Sequence, residues 1–167
     1  MNEKNIVKII LTSPGESKSI RARNNPSDIK NILSVTGEFQ VKLLANRLNR
    51  YVIDLVISNS SKRYTLTAIE VCSRQEFRPI QKVDDNILSF ESIKRYCKQN
   101  ISEYKTICFI VSKDEIAKLL AKLKRGNFKD NKNIKDTAVS VLEYNYIEDS
   151  CKLLVENSIS HLEFKRM

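Results

Sequence analysis

Short apolar runs alternate with amphipathic segments along most of this sequence, and that alternation is the strongest constraint on its fold. Three runs rich in β-branched residues predict strands, at residues 5–11, 51–58 and 105–112. Amphipathic segments that predict helices follow Ser89 and Ser112, and an S-x-x-E capping box begins at Ser112. Strands interleaved with helices in this way predict an α/β fold.

Weaker patterns complete the predicted order of elements. Asn25, Pro26 and Gly37 mark the start and end of a short helix at 26–36. Apolar alternation predicts a strand at 39–45, although the spacing of Phe39, Leu43, Leu44 and Leu48 also fits a helix. The other predicted elements are strands at 64–72 and 139–146, a loop at 73–86, and a last helix from about residue 148 to 158. This order predicts a mixed sheet flanked by helices, in a single domain of residues 1–167.

The composition excludes several classes of site. Three glycines, none of them clustered, do not form a glycine-rich nucleotide loop, and one histidine cannot build a histidine-rich metal site. The four cysteines show no C-x-x-C spacing and lie in or beside apolar runs, which disfavours a zinc site and favours a reducing compartment. No stretch approaches the length of a membrane span. We therefore expect a cytoplasmic protein without a membrane segment.

Two carboxylates stand inside otherwise apolar predicted strands. Asp54 lies in YVIDLVIS and Glu70 in TLTAIEVC. If these strands form a hairpin, Asp54 and Glu70 face each other when the turn centres near Lys62. Facing carboxylates repel unless a cation lies between them, and Mg²⁺ or Mn²⁺ prefers such oxygen ligands. The alternative is structural, with Asp54 at a strand end and Glu70 paired with a lysine.

This arrangement resembles the PD-(D/E)XK nuclease superfamily, which has a restriction-endonuclease-like fold. The predicted order over about residues 26–112 is similar to that family's αβββαβ core, and the later elements resemble a C-terminal β-α extension. Asp54 and Glu70, in the contexts I-D-L-V-I and A-I-E-V-C, stand at the family's acidic positions. The resemblance implies metal-dependent hydrolysis of DNA phosphodiesters, with Asp54 and Glu70 as ligands of Mg²⁺ or Mn²⁺.

The chain departs from that family's motif at two positions. Cys72 stands at the lysine position and Ile53 at the proline position. A thiol cannot supply the positive charge of the missing lysine. Lys82, Lys94 and Gln81 are candidates for a displaced catalytic group, and Lys82 is the one assigned to the predicted catalytic set with Asp54 and Glu70. The departure favours the alternative of a catalytically inactive nuclease-fold protein that binds nucleic acid or serves as an assembly subunit.

The positive charge suggests a nucleic acid as partner. The formal net charge is +9, and basic residues cluster in two regions. The predicted nucleic-acid-binding residues are Lys62, Arg63, Arg74 and Arg78, beside the two carboxylates, and Lys118, Lys122 and Arg125, in and after the helix that follows Ser112. The alternatives are a lysine-rich face that serves only solubility, and a domain that contacts only other proteins.

Overall fold

In a computed structural model, which describes residues 5–18, 32–87, 89–100, 102–124 and 133–163, six strands form one sheet. The strands are β1 (Ile6–Thr12), β2 (Leu55–Ser58), β3 (Ile80–Val83), β4 (Thr106–Ile110), β5 (Val139–Asn145) and β6 (Ser150–Ser158). The helices are α1 (Val35–Leu48), α2 (Lys62–Ser73), α3 (Phe90–Gln99) and α4 (Lys113–Leu123).

The sheet is mixed, with the order β3-β2-β4-β1-β5-β6. Strands β1 to β4 run parallel to one another, and Ile9 of β1 pairs with Ile107 of β4. On its other side Ile9 pairs with Leu142 of β5, which runs antiparallel to β1, and β6 follows antiparallel to β5. The prediction of an α/β fold with a mixed sheet is confirmed.

Helices cover both faces of the sheet in pairs. Leu44 of α1 and Val71 of α2 pack on one face with Ile10 and Val56. Ile93 of α3 and Leu120 of α4 pack on the other face, in a second core cluster. Strands buried on both faces have continuous apolar sequences, and all four residues of β2 are buried. The connections from β1 and β2 therefore lead to one face, and those from β3 and β4 lead to the other.

Two predicted strands are helices. Residues 64–72 lie in α2, whose buried side chains are Thr67, Ala68, Val71 and Cys72, a helical spacing that the β-branched composition concealed. Residues 39–45 lie in α1, so the alternative helical interpretation of Phe39, Leu43, Leu44 and Leu48 is the correct one. With both strands absent, the predicted αβββαβ core is wrong.

The predictions for the two edge strands of the sheet, β3 and β6, also need correction. Residues 150–158 form strand β6 instead of a helix, and their side chains from Ser150 to Val155 alternate between exposed and partly buried. The predicted loop at 73–86 contains β3, whose four residues are all exposed. An edge strand without a buried face gives no apolar alternation, so the sequence carries no signal for it.

The remaining predictions concern three helices, the absence of a membrane span, the location and the number of domains. The helices after Ser89 and Ser112 are confirmed, and both begin with capping boxes. The predicted helix at 26–36 lies largely outside the described residues, and Gly37 lies in the first turn of α1 and does not end a helix. Among the described residues, no helix has the length and apolar character needed to cross a membrane. The cytoplasmic location and the single domain stay predictions.

Candidate functional site

The carboxyl ends of the parallel strands form the candidate site. Strand β4 lies between β2 and β1, yet its connection leads to the opposite face of the sheet from theirs. Such a divergence opens a crevice outside the carboxyl ends of the strands, where α/β proteins bind ligands. A cavity of about 110 Å³ lies there. Its lining residues are Ile57, Ser58, Asn59, Asp84, Ile87, Phe109, Ile110, Val111, Ser112 and Glu115.

A hydroxyl group without a partner lies in this cavity wall. Ser58 ends β2, the residue is 2% exposed, and its Oγ atom has no hydrogen-bond partner among the described residues. Burying a hydroxyl that makes no hydrogen bond costs about 1–3 kcal/mol. A buried hydroxyl without a hydrogen-bond partner needs an explanation, and a ligand atom in the cavity that accepts its hydrogen bond would be one.

Helix α2 begins beside Ser58 with a positively charged first turn. Its N-cap residue Ser61 makes no side-chain capping bond, and the first turn contains Lys62 and Arg63 but no acidic residue. The Arg63 guanidinium lies 5.6 Å from the centre of the Tyr64 ring. Neither Lys62 nor Arg63 forms an ion pair within the described ranges. Free N–H groups and the helix dipole add to this positive charge.

Helix α4 starts on the opposite side of the cavity. Ser112 Oγ accepts from the Glu115 N–H at 3.2 Å, and the Glu115 carboxylate accepts from Ser112 in return. Burial raises the pKa of Tyr64, Arg63 lowers it, and the carboxylates of Glu115 and Asp114 raise it further. Both helices begin at the carboxyl ends of parallel strands, α2 after β2 and α4 after β4.

The carboxylates near the cavity already have donors. Glu115 accepts the Ser112 N–H at 3.0 Å, in addition to the Ser112 hydroxyl. Asp84 accepts the Asn86 N–H at 2.9 Å, and Asp85 accepts the Ser60 N–H at 2.7 Å. These contacts fix the loops that frame the cavity and partly offset the negative charge there.

The loop that leaves β1 is clamped against the start of α1. Gly15 and Gly37 allow this close approach, since a Cβ atom on Gly37 would lie 2.1 Å from the carbonyl oxygen of Glu16. Ser34 N–H donates to that carbonyl at 2.9 Å, and Gln40 accepts the Glu16 N–H. Residues 13–15 are buried, so the loop is a fixed wall of the carboxyl edge.

The structure does not bring the predicted carboxylate pair, Asp54 and Glu70, opposite each other. Asp54 precedes β2 and accepts the backbone N–H groups of Lys105 and Thr106 at 2.7 and 2.8 Å. Glu70 lies on α2 and forms an exposed ion pair with Arg74 at 3.2 Å. The hairpin that would align Asp54 with Glu70 does not exist. No group of three or more His, Cys, Asp or Glu residues in the described ranges could hold a metal ion. The Mg²⁺ or Mn²⁺ site stays a prediction.

The other predicted site residues are dispersed. Lys82 on β3 donates to the Tyr96 hydroxyl at 3.4 Å and does not line the cavity. Lys62 and Arg63 lie at the start of α2, Arg74 and Arg78 are exposed beyond its end, and Lys118 and Lys122 are exposed on α4. Lys122 forms an ion pair with Glu91. Arg125 lies outside the described residues. No described residue of this set lines the cavity, and Lys62 and Arg63 follow the lining residue Asn59 by three and four positions in the chain.

Neither the single histidine nor the cysteines line the cavity. His161 contacts the Arg47 guanidinium at 3.0 Å and the Thr137 hydroxyl at 3.1 Å, and burial together with Arg47 lowers its pKa to about 4. Burial raises the pKa of the Cys72 thiol to about 11 and that of Cys97 to about 12. None of these groups is poised as a nucleophile.

Sequence reasoning missed Ser58 as a site residue. The only local signal is the polar run Asn59-Ser60-Ser61 after an apolar strand, followed by two basic residues. A strand, a polar turn and a basic helix start form an anion-binding pattern, but only when 62–73 is a helix. The strand prediction for 64–72 concealed this pattern.

Comparison with known proteins identifies the fold. No protein-family model matches the sequence, and no curated protein sequence matches it significantly. Solved structures do match. The protein histidine phosphatase SixA complexed with tungstate has 15% sequence identity and a TM-score of 0.74, covering 94% of this chain and 100% of that one.

Two further structures have similar scores. A histidine-to-alanine variant of the Entamoeba histolytica phosphoserine phosphatase, in complex with phosphoserine, is 17% identical with a TM-score of 0.68 and covers 94% of this chain and 100% of that one. A mycobacterial glucosyl-3-phosphoglycerate phosphatase is 13% identical with a TM-score of 0.68 and covers 92% and 99% of the two chains.

These neighbours correct the predicted family and function. They are histidine phosphatase-fold proteins, so the resemblance to PD-(D/E)XK nucleases is wrong, and so is the predicted DNA endonuclease function. The alternative of an inactive nuclease-fold protein gains no support from them either. The fold of this chain is that of the histidine phosphatases.

Proposed function

We propose that this chain binds a phosphorylated ligand at the carboxyl edge of its sheet and does not hydrolyse it by histidine chemistry. The observation that carries the proposal is the unpartnered, buried Ser58 hydroxyl beside the uncapped, basic start of α2. A phosphoryl oxygen would accept from Ser58 Oγ, from free N–H groups of the first turn, and from Lys62 and Arg63.

The charges around the cavity support the binding of a compact anion. Helix α4 begins at the cavity, which Ser112 and Glu115 line, and helix α2 begins three residues after the lining residue Asn59. Each helix N-terminus carries the positive end of a helix dipole. The lining carboxylates Glu115 and Asp84 each accept a backbone N–H group, while Lys62 and Arg63 have no carboxylate partner in the described part of the chain. A cavity of about 110 Å³ has room for a phosphoryl group.

The structural neighbours bind ligands of this chemistry. Tungstate, an oxyanion, is bound by SixA, and phosphoserine by the Entamoeba enzyme. We infer from these two ligands that the same class of anion fits the present fold.

The residues of this chain support binding without turnover. His161 is the only histidine of the sequence, and it contacts Arg47 and Thr137 away from the cavity lining. Ser112 donates its hydroxyl to Glu115 within the helix cap. Among the described cavity residues no nucleophile is paired with a histidine, so the usual activation of a phosphoryl acceptor is missing.

Binding is tested by titrating the purified chain with inorganic phosphate, tungstate and phosphoserine in a calorimeter at neutral pH. We expect Arg63→Ala to weaken binding about 10-fold, the equivalent of one charge-assisted hydrogen bond. Ser58→Ala should weaken binding without lowering the melting temperature, since the variant removes a buried hydroxyl that has no partner in the free protein. Tighter binding of phosphoserine than of phosphate would identify an esterified ligand.

Lys42→Ala is the matched control because Lys42 is an exposed lysine on α1, outside the cavity. Equal loss of binding in Lys42→Ala and Arg63→Ala would mean that only net charge matters, and the proposed site would be wrong. Unchanged binding in Ser58→Ala would also contradict it. Release of phosphate from phosphoserine would contradict the absence of turnover.

A further inference from the structure

The cavity at the carboxyl edge of the sheet continues into a larger one between helices α3 and α4, called here the α3–α4 groove. The groove has a volume of about 270 Å³, and Glu115 lines both it and the first cavity. A small cavity connects the two, since it shares Ile87 and Val111 with the first and Phe90 and Leu119 with the groove. A ligand in the first cavity therefore has open space beside it along α4.

The floor of the α3–α4 groove is apolar. Leu119 of α4 is 3% exposed, and Phe90 at the start of α3 packs against the same core cluster. The Lys94 ammonium lies 5.5 Å from the centre of the Phe90 ring, a contact that helps to hold the ring in place. A free phosphate gains nothing from such a floor, whereas the apolar part of an organic molecule does.

The charges on the rim of the groove leave a cation without a partner. Lys122 forms an ion pair with Glu91, and Glu91 also pairs with Lys94 at 3.3 Å. Lys118 lines the groove, is exposed, and forms no ion pair with any residue that the structure describes. The rim therefore suits a ligand group with a negative charge, such as a carboxylate.

Helix geometry sets the distance between the two anion sites. Ser112, Glu115, Leu119 and Lys122 recur at spacings of three or four residues, which places them along one side of α4. Lys118 follows Ser112 by six residues, or about 9 Å along the helix axis. Glu115, between them, already accepts the Ser112 N–H and hydroxyl, and this reduces its repulsion of an anionic ligand.

We propose that the ligand of this chain is an elongated phosphomonoester with an apolar body and a carboxylate at its far end. Its phosphoryl group lies beside Ser58, its body covers Phe90 and Leu119, and its carboxylate pairs with Lys118. This inference rests on the proposed function, because the α3–α4 groove extends the phosphoryl site. It adds the class of molecule that carries the phosphoryl group.

The test is calorimetric titration of the full chain with four probes. These are inorganic phosphate, phenyl phosphate, desaminotyrosine phosphate, which is a phenyl phosphate with a propanoate chain in the para position, and the methyl ester of that propanoate. We expect phenyl phosphate to bind about 10-fold more tightly than inorganic phosphate, because the ring covers apolar surface. The free acid should bind about 3-fold more tightly than its methyl ester, the gain of an exposed ion pair.

Variants assign each gain to its residue. Lys118→Gln should remove the advantage of the acid over its methyl ester and leave the binding of phenyl phosphate unchanged. Phe90→Ala should reduce the advantage of phenyl phosphate over inorganic phosphate. Arg63→Ala, which alters the phosphoryl site, should weaken all four probes alike. Arg95→Gln is the matched control, since Arg95 is an exposed cation of α3 that does not line the groove, and it should change none of these ratios.

The outcomes separate this inference from the proposed function. Equal affinities for all four probes would overturn the inference and leave the phosphoryl site intact, whereas no binding of any probe would overturn both. An advantage of the acid that survives Lys118→Gln, or that Arg95→Gln removes as well, would also overturn the inference. Circular dichroism verifies the folding of each variant. The Lys118→Gln result decides even if Phe90→Ala fails to fold, because Lys118 is an exposed side chain.

Discussion

The single histidine makes the stability of this fold depend on pH below about 6.5. His161 contacts Arg47 and Thr137, and burial, assisted by the Arg47 charge, lowers its pKa to about 4 in the folded chain. An unfolded chain restores the ordinary value of about 6.5. Between these two values the unfolded state binds a proton that the folded state does not, so stability falls as the pH decreases from about 6.5 to 4.

The size of the effect follows from the two pKa values. At pH 5 the unfolded histidine is almost fully protonated and the folded one is almost fully neutral, a difference of about 2 kcal/mol. His161 is only partly buried, and solvent screening reduces that figure to about 1 kcal/mol. A loss of this size between pH 7.5 and pH 5 lowers the melting temperature by about 2–4 °C for a chain of this length.

The assay is urea unfolding followed by circular dichroism at intervals from pH 5 to pH 7.5, on the wild type and on His161→Gln. The difference between the two free energies of unfolding isolates His161, because the carboxylates titrate alike in both proteins. Arg47→Gln should reduce the slope, since it removes a positive charge that disfavours the imidazolium. A wild type whose stability is flat over this range, or a slope that persists in His161→Gln, would refute the reasoning.

Two further predictions concern the frame around the site. Gly37→Ala should destabilise the chain by at least about 2 kcal/mol in urea unfolding, because its Cβ would meet the Glu16 carbonyl at 2.1 Å, whereas the exposed neighbour Val35→Ala should change stability by less than about 0.5 kcal/mol. Equal losses of stability in Gly37→Ala and Val35→Ala would mean that the close approach of the loop after β1 to the start of α1 is unimportant. Asp54→Ala should lower the free energy of unfolding by about 1–3 kcal/mol, because it frees two backbone N–H groups. Glu70→Ala should lower it by less than about 1 kcal/mol, since its ion pair is exposed. If Mg²⁺ raised the melting temperature of the wild type but not of Asp54→Ala, the structural role of Asp54 would be insufficient and the predicted metal site would regain support.

The serine N-cap signals of α3 and α4 were reliable parts of the sequence. Ser89 and Ser112 start helices α3 and α4 as predicted, because a serine oxygen that accepts a first-turn N–H depends only on residues within one turn. Strands β1, β4 and β5 were also predictable, since each contributes apolar residues to a sheet buried on both faces. The α/β class followed from these elements alone.

The candidate site was not predictable in the same way. The β-branched and aromatic residues of 64–72 suggested a strand, and the packing of Ala68 and Val71 against Val56 and Leu44 made that segment a helix. That one change removed the Asp54–Glu70 hairpin and placed Lys62 and Arg63 at a helix start. The false resemblance to nucleases depended on the same segment.

The sequence by itself determined the alternation of strands and helices, the caps of α3 and α4, and the lack of any histidine near the carboxyl ends of the predicted strands. These properties depend on neighbouring residues or on composition. Only the tertiary structure decided that β4 inserts between β2 and β1 and that their connections diverge. It also decided that the Ser58 hydroxyl lies in a cavity wall with no hydrogen-bond partner among the described residues. Strand order, and the location of both helix starts at one edge of the sheet, arise from contacts between residues distant in the chain, and no local pattern of side chains specifies them.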